Sequence, residues 1–204
     1  MVVEVVPNPV VAQQRRIEAL WPRLPLQEST CVEHAPDGEV QSGQDGSDKC
    51  VAEVRGSVAS CSVRENAPVV VFVSKVIPMR KTDLGAWCTS SESSEHDRDR
   101  DIFVAFARVF SGVLQPDSRL YILGPKYHPQ KRDTISHVQG LKTEGCLGLF
   151  MMMGTSLLPV PSVPAGNLAA IAGLEGLVIK SATLSSTLAC PALRTVTLQV
   201  SNAA

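Results

Sequence analysis

The 204-residue sequence is poor in aromatic residues, which make up 4% of its positions, and it carries almost no net charge. Nineteen lysines and arginines stand against twenty aspartates and glutamates, so the formal charge is −1. This balance excludes a whole-chain electrostatic attraction to nucleic acid or to a membrane surface, and leaves only a local patch to bind either. No apolar run reaches the length that is needed to span a bilayer.

The sequence also lacks a secretory signal and a paired-cysteine motif. The opening MVVEVVPNPVV has no basic segment and no small-residue cleavage site, so we expect a soluble, cytoplasmic protein. None of the six cysteines stands at the CxxC spacing that is typical of zinc sites and redox motifs, and we therefore expect free thiols. These cysteines are Cys31, Cys50, Cys61, Cys88, Cys146 and Cys190.

The motifs of common active sites are absent as well. The sequence has no GxxxxGK(S/T) loop, no GxGxxG, no HExxH and no GxSxG. Its four histidines fall in predicted loops, without a carboxylate or second histidine at ligand spacing on a regular element. We therefore predict no catalytic, cofactor-binding or metal-binding residue in this chain.

Composition divides the chain into ordered and polar segments. Residues 7–21 predict a short amphipathic helix, with Asn8 as its cap and Pro9 as its first residue. Residues 26–66 are rich in Gly, Ser, Asp and Glu with little periodicity, and predict a flexible linker. Residues 78–101 are polar again and end in the charge run SSEHDRDRD, which predicts an exposed loop.

Short apolar runs of about strand length, most of them separated by turn residues, predict β-strands. No crossover helix stands between them, which favours a small closed barrel over a doubly wound sheet. We predict a mainly β fold, a closed six-stranded barrel over residues 67–201 with a short N-terminal helix and disordered insertions. The runs are PVVVFVSKVI, IFVAFARVFSG, SRLYILG, LGLFMMMG, GNLAAIAGLE, LVIKSATLSS and RTVTLQVS.

Three consecutive methionines, Met151, Met152 and Met153, belong to one of these runs. Methionine is common at adaptable binding surfaces, but it also fills irregular cores. Because alternate strand residues face opposite sides, we expect one or two of the three to lie in the barrel core.

One basic stretch, GPKYHPQKRD, is a candidate binding site. A basic hairpin with an interleaved aromatic residue can contact phosphates and stack on an exposed base. The alternative is an ordinary solvated loop, which the residues alone favour because short basic loops are common. The candidate residues are Arg119, in the strand run before the stretch, and Lys126, Tyr127, His128, Lys131 and Arg132 within it.

The order of the strand runs resembles a known family. PVVVFVSKV, FVAFARVFSGVL, LYILGPKYHP, LFMMMG and VPAGNLAAIAGLE, followed by KSATLSS, are similar to the second domain of the elongation factor 2 family, a translation-factor β-barrel. Within this family, the sequence of these runs most resembles that of the elongation-factor-2-like GTPase of large ribosomal subunit maturation. FARVFSG followed by LGPKY, VIKSATL, and a long polar insert between the first two strands carry this closer likeness. TLQVS resembles the strand that closes the domain.

The resemblance implies a part of a larger machine. PNPVVAQQRRIEALWP resembles the exit of the family's GTP-binding domain, so residues 1–25 are interpreted as its helical remnant. The family binds GTP and magnesium through a P-loop, switch segments, a catalytic histidine and NKxD. This chain has none of these, so we expect no GTP hydrolysis from it alone and interpret it as a fragment.

The same resemblance implies partners. The family's second domain is implied to couple the GTP-binding domain to ribosome contact. The subunit-maturation GTPase is implied to release an anti-association factor from the 60S subunit together with the Shwachman–Bodian–Diamond protein. Residues 78–101 correspond by position to the insert associated with that protein, and Trp87 is their aromatic anchor. A disordered spacer is the equal alternative for this segment.

The basic stretch gains support as a contact to ribosomal RNA, because this barrel face lies near that RNA in related factors. Two alternatives stay open for the chain as a whole. One is the second domain of an elongation factor 2 translocase. The other is a stand-alone barrel that binds RNA or protein.

Overall fold

The computed structural model describes residues 7–22, 44–80, 84, 101–141, 147–154 and 156–194. These residues form a mainly β fold, as predicted, with two α-helices ahead of the strands. The elements are α1 (Pro9–Leu20), α2 (Gln44–Ala59), β1 (Val70–Arg80), β2 (Asp101–Ser111), β3 (Val113–Leu114), β4 (Leu120–Leu123), a 3₁₀-helix (Arg132–His137), β5 (Val138–Leu141), β6 (Gly148–Met153), β7 (Ser156–Pro159), β8 (Val163–Pro164), β9 (Leu168–Ala172) and β10 (Ala182–Ser185).

Helix α1 confirms the predicted N-terminal helix. The Asn8 side chain accepts a hydrogen bond from the Val11 N–H at 2.9 Å, and Pro9 takes the first position, where its missing N–H costs nothing. The helix ends where the Trp21 N–H donates to the Ile17 carbonyl. Its buried face packs on the sheet and on α2.

Helix α2 corrects the prediction of a flexible linker over residues 26–66. Gln44–Ala59 are helical, and Val54 and Val58, four residues apart, are buried on one helix face. Cys61 follows the helix in a left-handed conformation, with φ of 51°, and its N–H donates to the Val58 carbonyl. The segment is polar on average, so its composition did not reveal the narrow apolar stripe on this helix. Residues 26–43 lie outside the described part.

The main sheet is antiparallel and has eight strands in the order β5-β4-β10-β1-β2-β9-β6-β7. Strands β3 and β8 form a separate pair. Within the described residues no hydrogen bonds join β5 to β7, so closure of the barrel is not confirmed, and eight strands replace the six that we predicted. The run RTVTLQVS lies outside the described part from residue 195 onward.

The sheet buries side chains on both faces. One face carries the largest apolar cluster, with Val71, Val73, Ile171 and Leu184 at its centre. On the opposite face, a second cluster joins the strand residue Val70 to both helices. Leu84, Val104 and Phe150 belong to a third, smaller cluster. The helices therefore cover only part of the outer face.

The three methionines do not fill the core, so that expectation is wrong. Met151, Met152 and Met153 are 40%, 49% and 55% exposed. Strand β6 pairs with β9 only over Gly148–Phe150, and beyond this point its one neighbour is β7. Alternation still holds, but neither face of this two-stranded projection is covered by the core.

Within the described part of the chain, neither helix is long and apolar enough to cross a membrane.

Candidate functional site

The basic stretch forms a closed loop between β4 and β5. The Gly124 N–H donates to the His137 carbonyl at 2.9 Å, which joins the two ends of the loop. A Cβ at position 124 would lie 3.0 Å from that oxygen, so the close approach favours glycine. Inside the loop, the Tyr127 N–H donates to the Gly124 carbonyl and the Lys131 N–H to the His128 carbonyl. These bonds hold the backbone of the loop in one conformation.

Thr134 is the central hydrogen-bonding residue of this loop. Its buried hydroxyl accepts from the His128 N–H at 3.1 Å and lies 2.9 Å from the His128 carbonyl oxygen and 2.6 Å from that of Lys131. The hydroxyl has a single proton to share between the two carbonyls. One side chain therefore fixes the backbone on both sides of the 128–131 turn.

The loop presents two lysines to solvent. Lys126 and Lys131 are exposed, and neither ammonium group forms an ion pair or hydrogen bond with a residue that the structure describes. Arg132 begins the 3₁₀-helix, and its side chain lies outside the described part. Free ammonium groups on a fixed loop are suited to contact phosphates.

His128 does not add a positive charge at neutral pH. Its ring is half-buried, and burial, followed by the charge of Lys131, lowers its pKa from the usual 6.5. The Gln130 N–H points at Nδ1, at 3.4 Å, which requires an unprotonated nitrogen there. His128 is therefore neutral in this loop and supports its shape.

Tyr127 corrects the hypothesis of an interleaved stacking residue. Its side chain is only 5% exposed and packs in the second cluster against the helices. The hydroxyl donates to the Leu188 carbonyl at 2.6 Å, and burial raises the pKa of the phenol. Because both ring and hydroxyl are used internally, Tyr127 anchors the loop and is not available to stack on a base.

Arg119 lies away from the loop. It precedes β4 whereas the loop follows it, so at about 3.3 Å per residue the backbone of Arg119 is on the order of 15 Å from Gly124. Arg119 instead lines an open cleft of about 1440 Å³ between the C-terminal half of α2 and the end of the sheet. Arg64 lines the same cleft, but so do Glu53 and Glu65, so its charges balance.

Tyr121 is an exposed aromatic residue that the sequence reasoning missed. It lies in β4 between Leu120 and Ile122, which are both buried in the largest cluster. The alternation of a strand therefore turns Tyr121 to the opposite face, where it is 38% exposed. The pattern Leu-Tyr-Ile within a predicted strand was the signal that could have found it.

The remaining predicted contact, Trp87, lies outside the described part of the chain. Among the residues that the structure does describe, no group of three or more His, Cys, Asp or Glu side chains is placed to hold a metal ion.

Comparison with known proteins gives partial matches. The chain is 29% identical over 184 residues to ribosome assembly protein 1 of Schizosaccharomyces pombe, covering 71% of this chain and 18% of that protein. It is 35% identical over 109 residues to elongation factor-like GTPase 1 of Homo sapiens, covering 48% and 10%. It is 30% identical over 149 residues to elongation factor 2 of Encephalitozoon cuniculi, covering 73% and 15%.

The chain thus spans less than a fifth of the length of each of these relatives. No protein-family model matches the sequence.

Proposed function

The chain is homologous to a segment of the elongation factor 2 family, and from this we propose that it serves a ribosome-associated GTPase in cytoplasmic assembly of the large ribosomal subunit. The observation that carries the proposal is the match to ribosome assembly protein 1 over 71% of the chain. The role of this segment is to contact the ribosome and to couple that contact to a GTP-binding domain.

We propose that the chain does not hydrolyse GTP by itself. Its sequence has no P-loop to cradle phosphates and no NKxD to read guanine. GTP and magnesium are then bound by a partner domain. Helix α1 is the candidate connection between this segment and that domain. The eight-stranded sheet is the proposed counterpart of a translation-factor barrel.

The basic loop supplies the proposed contact to ribosomal RNA. Lys126 and Lys131 are exposed and carry no described partner. Thr134 fixes the backbone at Lys131, and the Tyr127 N–H bond to the Gly124 carbonyl closes the turn that contains Lys126. A fixed loop loses little conformational freedom when it binds, so its charges are available at low entropic cost. Trp87 remains the proposed anchor for the Shwachman–Bodian–Diamond protein, on sequence grounds alone.

The experiment is co-sedimentation of the full chain with purified large ribosomal subunits. We expect the wild type to pellet with the subunits and the double variant Lys126→Ala/Lys131→Ala to pellet several-fold less, with a steeper loss in the wild type as salt rises. Lys75→Ala/Lys180→Ala removes the same charge from two exposed positions outside the loop and is the matched control. A wild type that stays in the supernatant contradicts the proposal.

A second candidate is a general translocase, favoured by the 30% identity to elongation factor 2 over 73% of the chain. Gradient fractionation of cell extract separates the two. A subunit-assembly factor migrates with free large subunits and their precursors, whereas a translocase follows translating ribosomes.

A further inference from the structure

The outer face of β4 carries a partly exposed aromatic ring, Tyr121, which is 38% exposed. Tyr121 pairs with Gly140 of β5 on one side and with Ser185 of β10 on the other. Directly paired residues share a face of the sheet, so these two are the lateral neighbours of the ring. Gly140 has no side chain, and a Cβ built there meets no atom within 4 Å. The ring is therefore open to solvent on the β5 side.

The hydroxyl of Tyr121 is also free in the described part of the chain, where it forms no hydrogen bond. The contrast with Tyr127 is direct, because that tyrosine has its ring buried and its hydroxyl bonded. An exposed aromatic ring on a sheet is one of the surfaces on which proteins stack unpaired bases.

A cation precedes this ring in the chain. Arg119 lies two residues before Tyr121, immediately ahead of the first residue of β4, so at about 3.3 Å per residue the two backbone positions are within about 7 Å of each other. Its guanidinium is exposed and has no partner among the described residues. Asp117 lies exposed in the preceding turn, and Glu53 and Glu65 line the same cleft as Arg119.

We propose that Tyr121 and Arg119 form a binding site for an unpaired nucleotide of RNA. The phenol ring stacks on the base, and the guanidinium contacts an adjacent phosphate. The inference rests on the proposed function, because it names unpaired ribosomal RNA as what this face binds. It is separate from the basic loop, whose lysines supply charge but no free ring.

An aromatic ring beside a guanidinium favours an RNA strand over a duplex. A duplex hides its base faces in the stack and offers mainly phosphates and 2′-hydroxyls. Stacking is also tolerant of sequence, since every base has a π-face. The site therefore discriminates single-stranded from paired RNA and shows little preference among bases.

The test is fluorescence anisotropy of the full chain with a labelled single-stranded RNA of mixed sequence and with the same RNA annealed to its complement. We expect tighter binding to the single strand, a loss of about tenfold or more in Tyr121→Ala, and near wild-type binding in Tyr121→Phe. Phe103→Ala removes another exposed aromatic side chain from β2 and is the control.

Each outcome separates the two proposals. If Tyr121→Ala binds the single strand as the wild type does, while Lys126→Ala/Lys131→Ala weakens binding, the stacking site is wrong and the ribosome contact stands. If the wild type binds no single-stranded RNA but co-sediments with subunits, the stacking site is also wrong. Loss of co-sedimentation in Tyr121→Ala would then assign this face to a ribosomal protein. Failure of the wild type to co-sediment rejects the proposed function itself.

Discussion

The side-chain amide of Gln13 in α1 donates a hydrogen bond to the backbone carbonyl of Phe110 in β2 at 2.6 Å, 97 residues away in the chain. The same nitrogen donates to the carbonyl of Val58 near the end of α2. One buried side chain thus joins both helices to the central strand pair. Gln13 is 1% exposed, so water does not compete for these bonds.

We predict that Gln13→Leu destabilises the fold. Leucine keeps much of the volume but leaves two buried carbonyls without this donor, at a cost of about 2 kcal/mol in the free energy of unfolding. Denaturant unfolding measures the change, and Gln14→Leu, at the next and exposed position, is the control. Equal midpoints for the two variants would show that the buried bonds add nothing to stability.

Alanine substitution at two glycines, Gly112 and Gly56, should change the stability of the fold in opposite directions. Gly112 has φ of +76°, and a Cβ there would lie 2.9 Å from the Val69 Cα, so Gly112→Ala meets both strain and a backbone clash. We expect a loss of more than about 2 kcal/mol. Gly56 lies within α2 with open space around it, and Gly56→Ala should stabilise the chain by about 0.5–1 kcal/mol. Thermal unfolding of both variants checks the pair, and a stable Gly112→Ala contradicts the turn geometry.

Thr134→Val tests whether the basic loop is held by one hydroxyl. Valine keeps the shape but removes the bonds to the 128 and 131 backbone, so we expect a loss of about 1–2 kcal/mol and faster amide exchange at His128 and Lys131. Thr134→Ser keeps the hydroxyl and should retain most of the exchange protection. If Thr134→Val also retains this exchange protection, Tyr127 orders the loop instead.

The buried cysteines predict a decline of stability at high pH. Burial raises the pKa of Cys190 to about 12, and it also raises that of Cys61. A thiol that stays protonated in the folded chain but ionises in the unfolded chain makes its full contribution to the stability of the folded state below about pH 9. That contribution is lost as the pH rises from about 9 towards 12. Denaturant midpoints between pH 8 and 10.5 measure the slope, and Cys190→Ala should flatten it.

Thiol labelling gives a second measurement on the same groups. Cys50 is exposed whereas Cys61 and Cys190 are buried. Brief alkylation of the native chain at pH 8, followed by peptide mass spectrometry, should modify Cys50 and leave the other two unmodified. Rapid labelling of Cys190 would contradict its burial.

The two tyrosines show what the sequence could predict and what it could not. Strand runs identified β1, β2, β4, β6, β9 and β10, because β-branched or apolar stretches bury their side chains wherever they pair. The choice between Tyr121 and Tyr127 needed the tertiary structure, since the loop packs Tyr127 into the second cluster and bonds its hydroxyl to the Leu188 carbonyl. Local pattern gives the face of a strand residue but says nothing of what a loop packs against.

The hairpin of β6 and β7, which carries Met151–Met153, illustrates the same limit and gives the last prediction. Alternation in β6 could not show that β9 stops pairing after Phe150, which leaves Met151–Met153 beyond the core. Met153→Thr should therefore change stability by less than about 0.5 kcal/mol, whereas Phe150→Ala should cost about 3–5 kcal/mol. Denaturant unfolding of both variants measures this. A loss of about 2 kcal/mol or more in Met153→Thr would place that side chain in the core and contradict its exposure.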